Sequence, residues 1–331
     1  MQDIIAVEDL VVVYPDGTRA VNDVSFRVRE GEFFGFLGPN GAGKSTTIKA
    51  LTTLLRKTSG RVSIAGQDLE KSPTKIRSII GVMNQETSLD VDLTGRENLH
   101  LQGRLQQLHG PALETQVDEL LKMVQLEDVA GKPAGRYSSG MKKRLELALA
   151  LVHTPKLLFL DEPTTGLDPQ SRIAIWEYLE KLNQQDGTTV FLTTQYLEEA
   201  DRLCRQLSII DHGKLVASGS PSDLKATVGG DTVSLTLKSG ADEGLRSKVK
   251  EILRAVPGVT QVMSSDEGVV AYTKNAGEII PDIVTALDRN AIRPASLSIS
   301  SPTLDDVFLR QTGRRIRPED LGRKTTDPFL M

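Results

Sequence analysis

Two rhythms of apolar residues run along the chain, and their alternation divides it. Ile4–Tyr14 and Val21–Val28 have the short, β-branched apolar pattern of strands, with the turn Pro15-Asp16-Gly17 between them. Phe33-Phe34-Gly35-Phe36-Leu37 is continuously apolar, as a buried strand is. These three predict a small antiparallel edge leading into an α/β core. Thr47–Leu51 predicts a helix, and Gly60–Ala65 and Ile79–Met83 predict further strands, with Gln85 just beyond. From Leu93 to about Val129 the period lengthens: Leu99, Leu101, Leu105, Leu108, Leu113, Val117, Leu120, Leu121 and Val124 fall at helical spacing. That segment predicts a helical insertion with the leucines in its core, and His100 and His109 as surface or packing residues.

Tyr137-Ser138-Ser139-Gly140 opens a predicted helix over Met141–Val152, and both serines are good N-cap types. Leu157-Leu158-Phe159-Leu160 then carries Asp161 and Glu162 to the end of a buried strand. Helix Ile173–Asn183, strand Thr189–Thr193, helix Leu197–Gln206, strand Leu207–Asp211 and the turn His212-Gly213 follow. They complete an α/β domain over residues 1–220, with a helical subdomain over about 86–155. Ser218–Gly230 reads as the exit, with 221–230 as linker. Beyond it the pattern resets: strand Thr232–Leu237, helix Glu243–Ala255, strands Thr260–Ser264 and Val269–Thr273, helix Glu278–Asn290, strand Ala295–Ser300. That β-α-β-β-α-β order is ferredoxin-like. A short helix, Leu304–Gln311, closes an accessory domain over 231–312, and 313–331 is a polar tail, solvated by default.

Chemistry concentrates at Gly38-Pro39-Asn40-Gly41-Ala42-Gly43-Lys44-Ser45-Thr46, which meets every fixed position of G-x-x-x-x-G-K-[ST] between a predicted strand and a predicted helix. Glycines let backbone N–H groups turn inward around phosphate oxygens, and the helix start adds its positive dipole end. Lys44 is then the residue to reach the β- and γ-phosphates, and Ser45 the one to hold Mg²⁺. Asp161 and Glu162 fit beside it, because the carboxyl ends of strands in open α/β sheets face the ligand crevice. Tyr14 can stack on a planar base or serve as an ordinary strand aromatic. No catalytic grouping stands out after residue 231.

Composition narrows the partners. The chain has 331 residues, 39% hydrophobic and 25% charged, with net charge −4, so there is no polyanion-binding signature and no nucleic-acid partner is expected. Cys204 is the single cysteine, which excludes an internal disulfide and suits a reducing compartment. The start lacks the charge and apolar run of a signal peptide, and the longest apolar stretch, around Leu145–Leu160, is broken by Glu146, His153 and Lys156. Action at a membrane would therefore need a partner.

In this order the first ~220 residues resemble the ATP-binding subunit of an ABC transporter: Tyr14, the loop Gly38–Thr46, Gln85, Tyr137–Met141, Asp161-Glu162, Gly166-Leu167-Asp168 and a switch position at Gln195. The daunorubicin/doxorubicin-resistance type of exporter ATPase is similar in three stretches. They are Tyr137–Glu146, Thr193–Asp201 and Leu304-Asp305-Asp306-Val307-Phe308-Leu309. The resemblance implies a P-loop ABC-type nucleotide-binding domain that hydrolyses ATP with Mg²⁺. Tyr14 would stack on adenine, and the loop amides, Lys44, Ser45 and Thr46 would hold the triphosphate. Ser45, Gln85 and Asp161 would complete the metal shell, with Glu162 polarising the attacking water.

It further implies a head-to-tail pair of subunits, in which Ser138, Ser139 and Gly140 border the nucleotide bound on the other copy, and it counts Asp168 of the loop Gly166-Leu167-Asp168 among the nucleotide-site residues. A separate membrane permease would contact the surface near Gln85–Asp92, placing the chain at the cytoplasmic face of the membrane. Two positions depart from the wider family. Ser139 replaces a glycine, and either hinders closure or adds a hydroxyl donor. Gln195 stands where most relatives carry histidine; it can hydrogen-bond a γ-phosphate but does not titrate near neutrality. A soluble ABC ATPase acting on ribosomes or DNA is the competing reading, but such chains usually carry two nucleotide domains or long insertions, and here there is one phosphate loop.

Overall fold

The structure, a computed structural model, describes residues 2–237, 243–265 and 268–312. It divides into two compact units, one up to Pro221 and one from Ser222. The first runs β1 (Asp3–Val13), β2 (Arg19–Arg29), β3 (Phe33–Leu37), α1 (Lys44–Leu51), β4 (Ser59–Ile64), β5 (Gln67–Asp68), α2 (Pro73–Arg77) and β6 (Ile80–Met83). It continues with α3 (Gly95–Leu105), α4 (Gly110–Met123), α5 (Ser139–Leu151), β7 (Leu157–Asp161), α6 (Pro169–Asp186), β8 (Thr189–Thr194), α7 (Leu197–Leu203), β9 (Gln206–Asp211) and β10 (Lys214–Gly219).

Two sheets result. The first, in the order β2-β1-β4-β5, is antiparallel. The second is ordered β10-β9-β3-β8-β7-β6 and is parallel except for β10. β3 thus leaves the edge it was expected to share with β1 and β2, and lies between β8 and β9. Burial explains the difference. All five residues of β3 are buried, as are all five of β7, and only a strand covered on both faces tolerates that. β2 alternates buried and exposed positions and keeps one wet face. Aromatic rings join the sheets: Phe26 of β2 lies 5.6 Å from Phe34 of β3, which lies 5.4 Å from Phe191 of β8.

The helical insertion forms as α3 and α4, but not all its leucines are core. Leu99 is fully buried, whereas Leu101 and Leu105 are 46% and 70% exposed. At about 100° per residue, two positions turn the side chain to the far side of a helix. Helix α7 stops at Leu203 rather than Gln206, because Cys204 is extended (φ −87°, ψ 132°) and Gln206 already pairs in β9. Helix α6 is longer than its apolar pattern: Asp168 caps its start and Gly187, in the left-handed region, ends it.

The second unit comprises α8 (Pro221–Val228), β11 (Asp231–Thr236), α9 (Glu243–Arg254), β12 (Val259–Ser265), β13 (Gly268–Thr273), α10 (Ala276–Arg289), β14 (Ser296–Ser300) and α11 (Leu304–Thr312). Its antiparallel sheet has the order β12-β13-β11-β14, the ferredoxin-like arrangement, with Val233, Leu235, Val249, Leu253, Ala271 and Ile283 in one core. α8 occupies most of the stretch expected as linker; Pro221 presets its first turn and Asp223 sits at its positive end. The polar tail 313–331 lies outside the described residues.

Candidate nucleotide site

The phosphate loop follows β3 and ends where α1 begins. Gly43, the N-cap of α1, has φ 107°, and a Cβ there would fall 2.4 Å from the Ala20 carbonyl oxygen, so the turn requires glycine. The Gly213 amide donates to the carbonyl of Ala42 at 2.9 Å, tying the loop to the turn after β9. Lys44 is 4% exposed and folds back on the loop: Nζ donates to the Gly38 carbonyl at 2.8 Å and to that of Pro39 at 3.0 Å. The same ammonium lies 3.0 Å from Glu162 Oε1. Tyr14 and Thr46 share a hydroxyl–hydroxyl hydrogen bond of 3.0 Å, which places the tyrosine at the rim of the loop.

Asp161 is the last residue of β7 and is buried. Burial pushes its carboxyl above the ordinary value, while hydrogen bonds from the Thr193 and Ser45 hydroxyls pull it back down. The Thr193 bond measures 2.5 Å. Glu162 has φ 50°, a left-handed conformation that turns its carboxyl out of line with the strand, and its amide donates to the Thr193 carbonyl at 3.1 Å. Glu162 Oε2 accepts from the Thr165 hydroxyl at 3.3 Å. Lys44, Ser45, Asp161 and Glu162 thus meet in one network of a cation, a hydroxyl and two acids at a helix N-terminus.

Gln195 follows β8 and is only 2% exposed; its buried Oε1 meets no hydrogen-bond partner among the described residues. The next residue, Tyr196, lies under the Arg172 guanidinium at 4.2 Å. Behind it stands a residue to which the sequence alone assigns no role. Glu199 of α7 is fully buried, and its Oε1 accepts from both the Thr164 hydroxyl and the Trp176 indole, each at 2.8 Å. The signal available in the sequence was an acid on the inward face of the helix behind Gln195.

A second group gathers at the starts of α5 and α6. Ser138 caps α5, accepting the Met141 amide at 3.2 Å, while Ser139 is the first helical residue and is exposed, so only one of the two serines caps. Asp168 caps α6, accepting the Ser171 amide at 2.9 Å and its hydroxyl at 2.6 Å. Gly140 packs directly on that serine, since a Cβ there would lie 2.8 Å from Ser171 Oγ. Gln85 is exposed, and its carbonyl accepts from Lys143 at 3.3 Å. Lys143 also pairs at 2.8 Å with Glu146, whose carboxyl is buried. Gln85, Ser138 and Ser139 share no hydrogen bond with the Lys44–Asp161 network among the described residues.

Comparison with known proteins agrees with this geometry. Residues 21–165 match the ABC transporter family, and residues 219–312 match the C-terminal domain of DrrA1-3-like ATP-binding proteins. The chain is 40% identical over 297 residues to the daunorubicin resistance ATP-binding protein DrrA2 of Streptomyces coeruleorubidus, covering 90% of this chain and 91% of that protein. It is 37% identical over 298 residues to the linearmycin resistance ATP-binding protein LnrL of Bacillus subtilis, covering 90% and 94%. A dimeric post-hydrolysis structure of the ATP-binding cassette MJ0796, bound to ADP and phosphate, superposes with a TM-score of 0.61 at 28% identity, covering 65% of this chain and 98% of that one. The chain belongs to the ABC transporter ATP-binding proteins of the daunorubicin-resistance type, and is an ATPase.

Proposed function

We propose that the chain is the energy-coupling ATPase of an exporter that removes a drug-like, antibiotic or lipid-like compound through a separate membrane permease, working as a head-to-tail pair of identical subunits. The observation that carries the reading is the meeting of Lys44 and Glu162 at 3.0 Å, with Asp161 and Ser45 beside them. Phosphoryl transfer from ATP needs positioning and charge stabilisation more than covalent help, and this network supplies both. Lys44 and the loop amides of residues 38–46 hold the triphosphate, and Tyr14 stacks on the base. Glu162 orients and polarises the attacking water, and Gln195 donates a hydrogen bond to the γ-phosphate.

Mg²⁺ fits the donors present. The Ser45 hydroxyl, the Asp161 carboxylate and the Gln85 amide oxygen are hard oxygen ligands of the kind it takes, and the first two already adjoin. Bound there, the ion would neutralise charge on the phosphate oxygens. Ser138, Ser139 and Gly140, with Asp168, would serve the nucleotide of the opposite subunit, because one copy leaves the outer face of the γ-phosphate without donors. Among the described residues no helix is long and apolar enough to cross a membrane, which fits a separate permease. The exposed Leu101 and Leu105, on the segment that follows Gln85, suit contact with it at the cytoplasmic face. The second unit is an accessory domain.

The test is Glu162→Gln in the full chain with its permease. Retained ATP binding, lost turnover and a nucleotide-trapped dimer are expected; a saturated variant that stays monomeric overturns the paired-subunit reading.

A further inference from the structure

We propose that Glu199 is a positioning residue for hydrolysis, fixing the turn that carries Glu162 and the helix that follows Gln195 against one buried carboxyl group. This rests on the role given to Glu162 above. Glu199 lies four residues after Gln195, on α7, and its side chain is fully buried. Its Oε1 takes two hydrogen bonds from different elements, the Thr164 hydroxyl and the Trp176 indole N–H, each 2.8 Å long. Thr164 is two residues after Glu162, inside the turn where Glu162 itself sits at φ 50°. Trp176 belongs to α6, the helix that Asp168 caps and from which Arg172 reaches over Tyr196. One oxygen atom therefore links the acidic turn, the switch helix and α6.

The arrangement is more than packing. A non-polar residue would fill the space but would leave the Thr164 hydroxyl and the Trp176 N–H buried without an acceptor, at a loss for each. Glu199 Oε2 is buried and has no hydrogen-bond partner among the described residues. Burial pushes this carboxyl above its ordinary value, against the Thr194, Trp176 and Thr164 groups and the Arg172 charge that favour its charged form. Glutamine keeps an acceptor at Oε1 in the same shape, so it can take both hydrogen bonds.

Three variants of the full chain test this, with Glu162→Gln as a control, by steady-state ATP hydrolysis, affinity for a fluorescent ATP analogue and emission from Trp176, the only tryptophan. Glu199→Ala should lower kcat at least about tenfold with nucleotide affinity within about threefold of the parent, and shift the Trp176 emission. Glu199→Gln should recover kcat to within about threefold and restore the emission. Thr164→Val removes a single donor with little change of shape, and should lower kcat at least about threefold with affinity kept; it decides the matter if Glu199→Ala does not fold. Parental kcat in Thr164→Val, or a Glu199→Gln variant as poor as Glu199→Ala, overturns the proposal while an inactive Glu162→Gln leaves the ATPase reading standing. A Glu162→Gln control that hydrolyses at the parental rate overturns the assignment of the base, and this proposal with it.

Discussion

Replacing Glu162 with glutamine alters one atom of the site and removes one buried charge. The side chains of Lys44 and Glu162 are 3% and 4% exposed, so their ion pair lies in a region of low dielectric. Removing one partner from such a pair costs about 3–5 kcal/mol, because the other charge stays buried. The lower end applies here, since Lys44 keeps the Gly38 and Pro39 carbonyls at 2.8 and 3.0 Å. For a unit of this size about 3 kcal/mol corresponds to about 6–12 °C in melting temperature. Without nucleotide the variant should melt lower by that amount. A triphosphate brings anionic oxygens to Lys44, so ATP should raise the melting temperature of the variant more than that of the parent. Loss of the base should at the same time lower turnover by about 10²–10⁴-fold. Differential scanning fluorimetry with and without ATP reads the first effect, and phosphate release reads the second. A variant whose melting temperature and ATP shift equal the parent's would refute the stabilising ion pair; parental turnover would refute the base.

Other outcomes follow from single contacts. Gln195→Ala should lower turnover at least about tenfold, about 1.4 kcal/mol, and unchanged phosphate release would remove Gln195 from the mechanism. Gly43→Ala should abolish nucleotide binding, since its Cβ would fall 2.4 Å from the Ala20 carbonyl oxygen at φ 107°; a variant that still binds a fluorescent ATP analogue normally would contradict that strain. His153 is held below its ordinary value by burial, against the Ile80 carbonyl hydrogen bond. The unfolded chain therefore binds the proton first as the pH falls. The stabilisation is complete above about 6.5 and is lost as the pH drops below it. Urea midpoints at pH 7.5 and 5.5 should separate less in His153→Gln than in the parent, and equal separations would exclude the effect.

The phosphate loop was legible in the sequence because its constraint is local: glycines at fixed spacing, a lysine and a serine between a strand and a helix need no distant partner to be recognised. The same holds for Asp161 and Glu162, which an apolar strand delivers as a pair. Placement of β3 was less legible, because alternation and continuous burial report how a strand is covered, not which strand lies next to it. Leu101 and Leu105 share the helical spacing of their neighbours, and only the phase of α3 turns them outward. The hidden part was Glu199. Its place on the inward face of α7 was the one local signal, but its partners Thr164 and Trp176 lie 35 and 23 residues away, so the helix alone does not say which groups it accepts from. Gln195 was found as a motif position, whereas its burial came from the fold.

The single ammonium of Lys143 tethers the loop after β6 to the start of α5. Its amino group is divided between the Gln85 backbone and the enclosed Glu146 carboxylate. Lys143 and Glu146 both lie on α5, so a force that drags the Gln85 peptide outward either carries α5 along or breaks the one 3.3 Å hydrogen bond from the ammonium, at a cost of about 1.5–3 kcal/mol. A pull weaker than that is passed to α5, whose first turn carries Ser138 at its N-cap.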